Sequence, residues 1–379
     1  MTVDWQIPLA DIGFGPEETE AVVKVLEGRW LTMGAVTQAF EQEVAAYVGV
    51  RHALAVANGT AALHLACLAA GLGMGDEVIV PALTFVATAN AIRYVGATPV
   101  FADIESEQNL CLSLPAIQSS LTEKTKAIMV MHYGGYACDM PAICSFAKEH
   151  GLVVIEDAAH AIGSELHGRK LGTWGEIGCF SFFSNKNLTT GEGGMLITND
   201  DSIAEQLRTM RSHGMTAMTW DRHKGHAWSY DVVTLGYNYR IDEIRSAIGR
   251  VQLRKLEKNN ATRRFLIAMY RKHLGELVPQ VSVPFKDFRG ISAAHLFPIL
   301  LPQGVNRFRF MEQMKSRGIQ TSIHYPPIHH FQAYEQWRSA SLPMTESVAA
   351  REVTLPLFPA MSEEDVRKVV LSVSKSLPA

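Results

Sequence analysis

The sequence carries little excess charge and no long apolar run, and each absence narrows what the protein can be. Its 379 residues include 35 Lys and Arg against 38 Asp and Glu, a formal net charge of −3. This balance gives no electrostatic attraction toward nucleic acid or an anionic membrane surface. No apolar stretch approaches the roughly 20 residues that a membrane-spanning helix needs. We therefore expect neither a nucleic-acid partner nor insertion into a membrane.

The sequence also lacks the cysteine spacing of a disulfide framework or a zinc site. Its five cysteines form no Cys-x-x-Cys pair, and Cys138 and Cys144 lie six residues apart without a matching histidine pattern. Residues 1–5 lack the basic start and the apolar run of a secretory signal. We expect reduced thiols and a cytoplasmic protein.

Short apolar runs alternate with helical patterns through the first part of the chain. Helical patterns at 61–70 and 140–150 each end at a glycine, which is the usual helix stop. The runs show no alternation of polar and apolar residues, which is typical of strands buried on both faces of a parallel sheet. They lie at 77–80, 99–101, 127–131 and 152–155. This pattern predicts an α/β fold with a largely parallel sheet.

The composition and the pattern of predicted elements change after about residue 250. Residues 250–275 have the pattern of a long helix rich in Leu, Arg and Lys, and residues 294–301 resemble a strand. A terminal helix is predicted at 363–376. We predict an N-terminal segment and large domain at 1–250, followed by a smaller α+β domain at 251–379.

One lysine stands at the end of a buried apolar run. Residues 180–183 are predicted to form a strand that brings Ser181 and then Lys186 to its end, and a glycine-rich turn follows. A lysine at such a junction is poorly hydrated, so its ammonium form is disfavoured and its amine can form a Schiff base with an aldehyde cofactor. An ordinary solvated surface lysine is the alternative interpretation.

Other candidate residues also follow predicted strands or open a helix. In parallel sheets, ligands gather at the carboxyl ends of strands, where Asp157 could hold a pyridine nitrogen protonated or cap a helix. Gly59 and Thr60 open an Ala-rich helix, where N–H groups suit a phosphate or an ordinary cap. Phe85 could stack on an aromatic cofactor or belong to the core. Together with Lys186, these are the parts that a pyridoxal phosphate enzyme needs.

Histidines concentrate at residues 324–330. Pro326 and Pro327 preclude the regular i, i+4 helical spacing of many metal-binding histidines, so we expect no metal and predict that the segment lines a substrate pocket. The polar segment 219–226 is either a solvated loop or a lip of that pocket.

The ordered motifs resemble those of the DegT/DnrJ/EryC1/StrS family of sugar aminotransferases, which belongs to fold type I, the aspartate aminotransferase superfamily. This resemblance implies a large domain with a mostly parallel seven-stranded sheet between helices, and a smaller C-terminal α+β domain. Ala35 departs from the family pattern, because a proline is common there. The matching segments are 28–34, 40–41, 58–60, 84–88, 156–160, 180–194, 236–240 and 324–326.

The resemblance also implies roles for individual residues. Lys186 would form the Schiff base with pyridoxal 5′-phosphate and move the proton, and Asp157 would pair with the pyridine nitrogen. His160 would lie near the cofactor hydroxyl, and Phe85 would stack on the ring. The phosphate ligands would be Gly59, Thr60, Ser181 and, from the neighbouring subunit, Asn238. A ligand from the neighbouring subunit implies a homodimer with shared active sites.

From this resemblance we expect a pyridoxal phosphate-dependent aminotransferase in amino-sugar biosynthesis. It would move an amino group from an amino acid, with L-glutamate as the expected donor, to a keto-sugar linked to a nucleotide diphosphate. Pyridoxamine 5′-phosphate would be the intermediate form of the cofactor. The alternatives are a cyclitol-ketone aminotransferase, a dehydratase or lyase on the same fold, and a cofactor-binding sensor without turnover. Lys186 argues against the dehydrating branch, which carries histidine there.

Substrate contacts are the least constrained part of the prediction. We expect Arg240, Tyr325 and His329 to touch the substrate. Three further charged side chains could pair with a diphosphate: Arg29, Arg222 and Lys224. The alternative is that they are ordinary surface charges.

Overall fold

The computed structural model describes residues 5–216, 229–337 and 341–378. Its α-helices are α1 (Pro16–Glu27), α2 (Ala35–Val48), α3 (Gly59–Ala69), α4 (Val86–Tyr94), α5 (Leu114–Ser119), α6 (Met140–His150), α7 (Asp201–Met210), α8 (Glu243–Leu277), α9 (Arg307–Ser316), α10 (Pro343–Arg351) and α11 (Glu363–Ser376). Short 3₁₀ helices lie at Tyr133–Gly135, Ile328–His330 and Gln332–Trp337.

Thirteen strands are assigned within the same described ranges. They are β1 (His52–Val56), β2 (Glu77–Pro81), β3 (Thr98–Ala102), β4 (Ile104–Ser106), β5 (Asn109–Leu112), β6 (Thr125–Met131), β7 (Val153–Asp157), β8 (Glu165–Leu166), β9 (Arg169–Lys170), β10 (Ile177–Ser181), β11 (Gly194–Thr198), β12 (Phe297–Leu300) and β13 (Glu352–Leu355).

A seven-stranded sheet organises the larger part of the molecule. Its strand order is β1-β11-β10-β7-β6-β2-β3. Strand β11 runs antiparallel to both of its neighbours, whereas the pairs from β10 to β3 are parallel. The prediction of an α/β fold with a mostly parallel seven-stranded sheet is therefore confirmed.

Both faces of this sheet are covered by helices. Along β6, Ile128 and Val130 join the core cluster that includes α2 and α6, while Ala127 and Met129 join the cluster that includes α3, α4 and α7. Successive side chains of a strand point to opposite faces, so a strand covered on both sides must be apolar at every position. This is the physical origin of the uninterrupted apolar runs.

The C-terminal part has its own core. The antiparallel pair β12–β13 packs with α9, α11 and the second half of α8. Helix α8 is continuous through residue 250, so the predicted domain boundary falls inside a helix and stays a prediction. Within the described residues, no helix combines the length and apolar character needed to cross a membrane.

The strand predicted at 294–301 is shorter in the structure. Ala294 has a φ of +54°, which interrupts the extended backbone. The N–H of His295 donates to the carbonyl of Gly134 instead of joining the β12–β13 ladder. Strand β12 therefore begins only at Phe297, and His295 is directed toward the large sheet.

Candidate active site

A cavity of about 400 Å³ opens at the carboxyl edge of the central sheet. Strands β7 and β10 end there, at Asp157 and Ser181, and α3 begins beside them. The cavity brings together many of the residues singled out in the sequence. Those that line it are Gly59, Thr60, Phe85, Asp157, His160, Ser181, Lys186 and Tyr325.

Asp157 is the last residue of β7 and is only 4% exposed. Its Oδ2 accepts a hydrogen bond of 2.7 Å from the Thr88 hydroxyl, and its Oδ1 accepts one of 3.1 Å from the Ala159 N–H. Burial raises the pKa of the Asp157 carboxyl, while these donors and the nearby Lys186 ammonium act in the opposite direction. Each oxygen keeps a further lone pair, so the carboxylate can accept a ring N–H as well.

Lys186 lies in the turn that follows β10, and its backbone N–H donates to the carbonyl of Phe183 over 2.9 Å. Its amino group lines the cavity, 3.5 Å from Nε2 of His295. Desolvation lowers the pKa of Lys186 to about 8, against the opposing charge of Asp157. With a pKa of about 8, about a tenth of the Lys186 side chain is a neutral, nucleophilic amine at pH 7, against less than about a thousandth for a fully solvated lysine.

His160 and Tyr325 form a directed hydrogen-bonded pair. The Gly134 N–H donates to Nδ1 of His160 over 3.3 Å, so in the neutral ring the hydrogen is on Nε2. Nε2 then donates to the Tyr325 hydroxyl over 3.0 Å. Burial, followed by the charge of Lys186, holds the pKa of His160 well below its ordinary value, so the ring stays neutral. The Tyr325 hydroxyl keeps its own hydrogen for a group in the cavity.

The start of α3 provides an anion cradle. The Asn58 side chain caps the helix by accepting from the Ala61 N–H over 2.8 Å. A Cβ on Gly59 would come within 2.9 Å of the Ser181 Cβ, so a glycine is needed for α3 to approach the end of β10 this closely. Free N–H groups, the Thr60 and Ser181 hydroxyls and the positive helix end together suit a phosphate.

These groups fit pyridoxal phosphate in kind and arrangement. One cavity holds an amine for the aldehyde, a carboxylate for the pyridine nitrogen and a cradle for the phosphate. The Phe85 ring is 54% exposed and borders the same cavity, so one face is open for stacking.

Three predicted residues lie elsewhere. The described residues that line the cavity do not include Asn238, Arg240 or His329. Asn238 pairs with Ser212 in an isolated bridge, and His329 is buried beside Phe101. Their predicted contacts with cofactor and substrate stay predictions.

Two of the predicted diphosphate contacts, Arg222 and Lys224, lie outside the described residues. Arg29 is exposed beyond the end of α1.

The histidine-rich segment does form a cluster of possible metal ligands within the described residues. One ligand atom each from His329, His330 and Glu346 lies within 4.8 Å of the others. Only His329 of the three is buried. The expectation of no metal stays a prediction.

Sequence reasoning missed two residues that surround Lys186. His295 is buried against the lysine nitrogen, and Asn187 binds His295. The available signal was a lone histidine inside the apolar run 294–301, which a strand interpretation does not explain.

The chain matches known proteins over nearly its whole length. A family model described as the DegT/DnrJ/EryC1/StrS aminotransferase family matches residues 14–374. The spore coat polysaccharide biosynthesis protein SpsC of Bacillus subtilis is 39% identical over 367 residues, which cover 95% of this chain and 94% of SpsC.

Two solved structures illustrate the likeness. Helicobacter pylori PseC, an aminotransferase involved in the biosynthesis of pseudoaminic acid, superposes with a TM-score of 0.91 at 30% identity, and 98% of each chain is covered. DesI, analysed in the presence of its TDP-sugar product, gives a TM-score of 0.88 at 31% identity, with 99% of this chain and 93% of DesI covered.

Proposed function

The chain belongs to the DegT/DnrJ/EryC1/StrS aminotransferase family, and from this premise we propose that it transfers the amino group of L-glutamate to the ketone of a nucleotide-diphosphate-linked sugar. The family and its solved members make the protein a pyridoxal phosphate-dependent sugar aminotransferase. The observation that carries the proposal is the shared cavity of Lys186, Asp157 and the α3 phosphate cradle. The TDP-sugar product of DesI supports a nucleotide-linked substrate.

The position of each residue in the cavity determines its proposed role. When bound, pyridoxal phosphate supplies an aldehyde that captures amines and a ring that withdraws electrons from the attached carbon. Asp157 would hold the ring nitrogen protonated, and Phe85 would cover one ring face. The neutral amine of Lys186 would take a proton from the substrate carbon and return it to the cofactor carbon on the other side of the shared nitrogen. Donor and acceptor use the cavity in turn, as in a ping-pong reaction.

We also propose a homodimer in which Asn238 reaches the phosphate of the neighbouring subunit. Asn238 does not line the cavity of its own chain, so any contact with a cofactor phosphate would be made in another subunit. The residues just before it are apolar and exposed in the single chain, among them Val232, Val233 and Leu235, the last of them 77% exposed. An exposed apolar segment of this kind is typical of an interaction surface.

The test is the first half-reaction. The purified, cofactor-loaded protein is mixed with L-glutamate, and its yellow absorption and the release of 2-oxoglutarate are followed. Loss of the yellow band with one 2-oxoglutarate per site is the expected result, and Lys186→Ala is the matched control that should give neither.

Keto-sugar nucleotides are then offered to the aminated enzyme, and the product is identified by mass spectrometry. An amino sugar with return of the yellow band supports the proposal. Ammonia or a cleaved fragment in place of an amino sugar would instead establish a lyase or dehydratase. A yellow enzyme that is unchanged by every amino acid tested would contradict aminotransfer altogether.

A further inference from the structure

A chain of buried side chains fixes the orientation of one amide beside the active site. The Nδ2 of Asn187 lies 2.7 Å from the carbonyl oxygen of Ala293 and 2.7 Å from Oδ1 of Asn260. A carbonyl oxygen can only accept a hydrogen bond, so this end of the Asn187 amide must be the NH₂ group. Its Oδ1 therefore points the other way, toward His295.

This orientation determines the tautomer of His295. Oδ1 of Asn187 lies 2.9 Å from Nδ1 of His295 and can only accept, so Nδ1 carries the hydrogen. Burial, followed by the charge of Lys186, holds the pKa of His295 well below its ordinary value, so the ring is neutral. Its Nε2 therefore presents a lone pair to the nitrogen of Lys186, 3.5 Å away.

We propose that His295 is a positioning residue that holds the free Lys186 side chain in the cavity by accepting a hydrogen bond from its nitrogen. The role rests on the proposed function, in which the lysine nitrogen leaves the cofactor when an amino substrate takes its place. A released lysine has many rotamers, and an acceptor at 3.5 Å keeps its nitrogen close to the point of reattachment.

The acceptor also affects the protonation of Lys186. A hydrogen-bond acceptor stabilises an ammonium more than a neutral amine, so we expect His295 to raise the pKa of Lys186 against the lowering effect of burial. Asp157 acts in the same direction, while burial lowers the pKa of His160 and of His324 and leaves both rings neutral. The titratable groups that line the cavity beside Lys186 are Asp157, His160, Cys179, Glu192, His324 and Tyr325.

The direct test measures Lys186 in the cofactor-free protein. Competitive labelling with trace acetic anhydride across neutral and alkaline pH, read by mass spectrometry of the Lys186 peptide, gives its midpoint, expected at about 8. His295→Met removes the acceptor and should lower the midpoint by about one pH unit, from the strength of a charge-assisted hydrogen bond. His295→Gln places an amide oxygen near the lost Nε2 and should restore it.

A purely structural role would lower the melting temperature of the Met variant and leave the labelling midpoint unchanged, which would overturn the proposal. An equal shift in the Met and Gln variants would overturn it as well, since the amide retains an acceptor. If His295→Met does not fold, ¹⁵N-histidine NMR of the wild-type protein decides, with the His295 signal assigned by its loss in His295→Gln. Hydrogen on Nδ1 supports the proposal, and hydrogen on Nε2 contradicts it.

Neither measurement uses the cofactor or an amino donor. A failed reaction with glutamate would therefore leave this result standing, and an unshifted Lys186 midpoint would leave the proposed aminotransfer untouched.

Discussion

At the scale of single residues, the site depends on how burial shifts the pKa values of two neighbouring groups of opposite charge. Burial lowers the pKa of Lys186 and raises that of Asp157, and each group partly reverses the shift of the other. The lysine is thereby available as an amine, while Thr88 and the Ala159 N–H favour the ionised form of the carboxyl.

Replacement of Asp157 by Asn tests the role of its charge. The amide is nearly isosteric with the carboxylate but cannot hold a proton on a pyridine nitrogen. The rate of the half-reaction with L-glutamate should fall by about a hundredfold or more, the usual loss when an electrostatic partner is removed. Stopped-flow absorbance of the loaded enzyme measures this rate.

The matched control is Thr88→Val, which removes one hydrogen bond to Asp157 and leaves the charge in place. It should cost much less than Asp157→Asn. Equal losses in the two variants would show that geometry, and not charge, is what Asp157 contributes.

Much of this site could be predicted because its residues follow strands. Asp157 is the last residue of β7, and Ser181 is the last residue of β10. Residues at the carboxyl ends of parallel strands lie at the same edge of the sheet, where ligands bind. His295 could not be found in this way, because it is 109 positions from Lys186 in the chain and follows no strand of the central sheet. Its place depends on the bend at Ala294, which apolar periodicity does not reveal.

At the scale of elements, one carboxylate joins α8 to the start of α2. Glu243, the first residue of α8, is 3% exposed and accepts hydrogen bonds of 2.8 Å from the N–H groups of Gly34, Val36 and Thr37. The N-cap residue of α2 is glycine and has no side chain to cap the helix, so the cap comes from 209 positions away. This contact orders the segment where Ala35 replaces the usual proline.

Glu243→Ala should be strongly destabilising. It leaves three N–H groups of the α2 N-terminus without their acceptor, and we expect a loss of about 3 kcal/mol in the free energy of unfolding. Urea denaturation followed by circular dichroism measures this loss.

Glu20→Ala is the control, because Glu20 is an exposed glutamate whose partner, Lys24, is one turn away. It should leave the urea midpoint nearly unchanged, because an exposed ion pair contributes little to stability. Comparable midpoints for the two variants would mean that α2 is held by packing alone.

The elements themselves were predictable to different degrees. Strands covered on both faces leave continuous apolar runs, so β2, β6 and β7 were found within two residues of their bounds. Helix α8 was predicted to begin at residue 250 but begins at Glu243, where Asp242 accepts from the Arg245 N–H. The cap residue Asp242 lies eight residues before residue 250, where the change in composition placed the predicted start of the helix.

At the scale of the whole molecule, the site is expected to be completed by a second copy of the chain. If Lys186 of one subunit and Asn238 of the other bind the same cofactor, a dimer that combines two inactive variants can regain activity. Lys186→Ala removes the amine, and Asn238→Asp places a carboxylate where the phosphate would bind.

A heterodimer of these two variants, purified through two affinity tags, should have about half of the wild-type activity, since one of its two sites is intact. Each variant alone should be nearly inactive. Sites contained within single chains would leave the heterodimer as inactive as its parents, and elution as a monomer at working concentrations would exclude the shared site directly.

Helix α8 constrains how this architecture can be cut and recombined. Its 35 residues span about 52 Å, at 1.5 Å per residue. Just past residue 250, Gln252 and Lys255 bind Glu18 of α1, and further along the same helix Tyr270 enters the C-terminal core. A gene fragment ending at residue 250 would forfeit the α1 contacts, and one starting there would lack the Asp242 cap. Swapping C-terminal modules between relatives would therefore need a crossover point outside this helix.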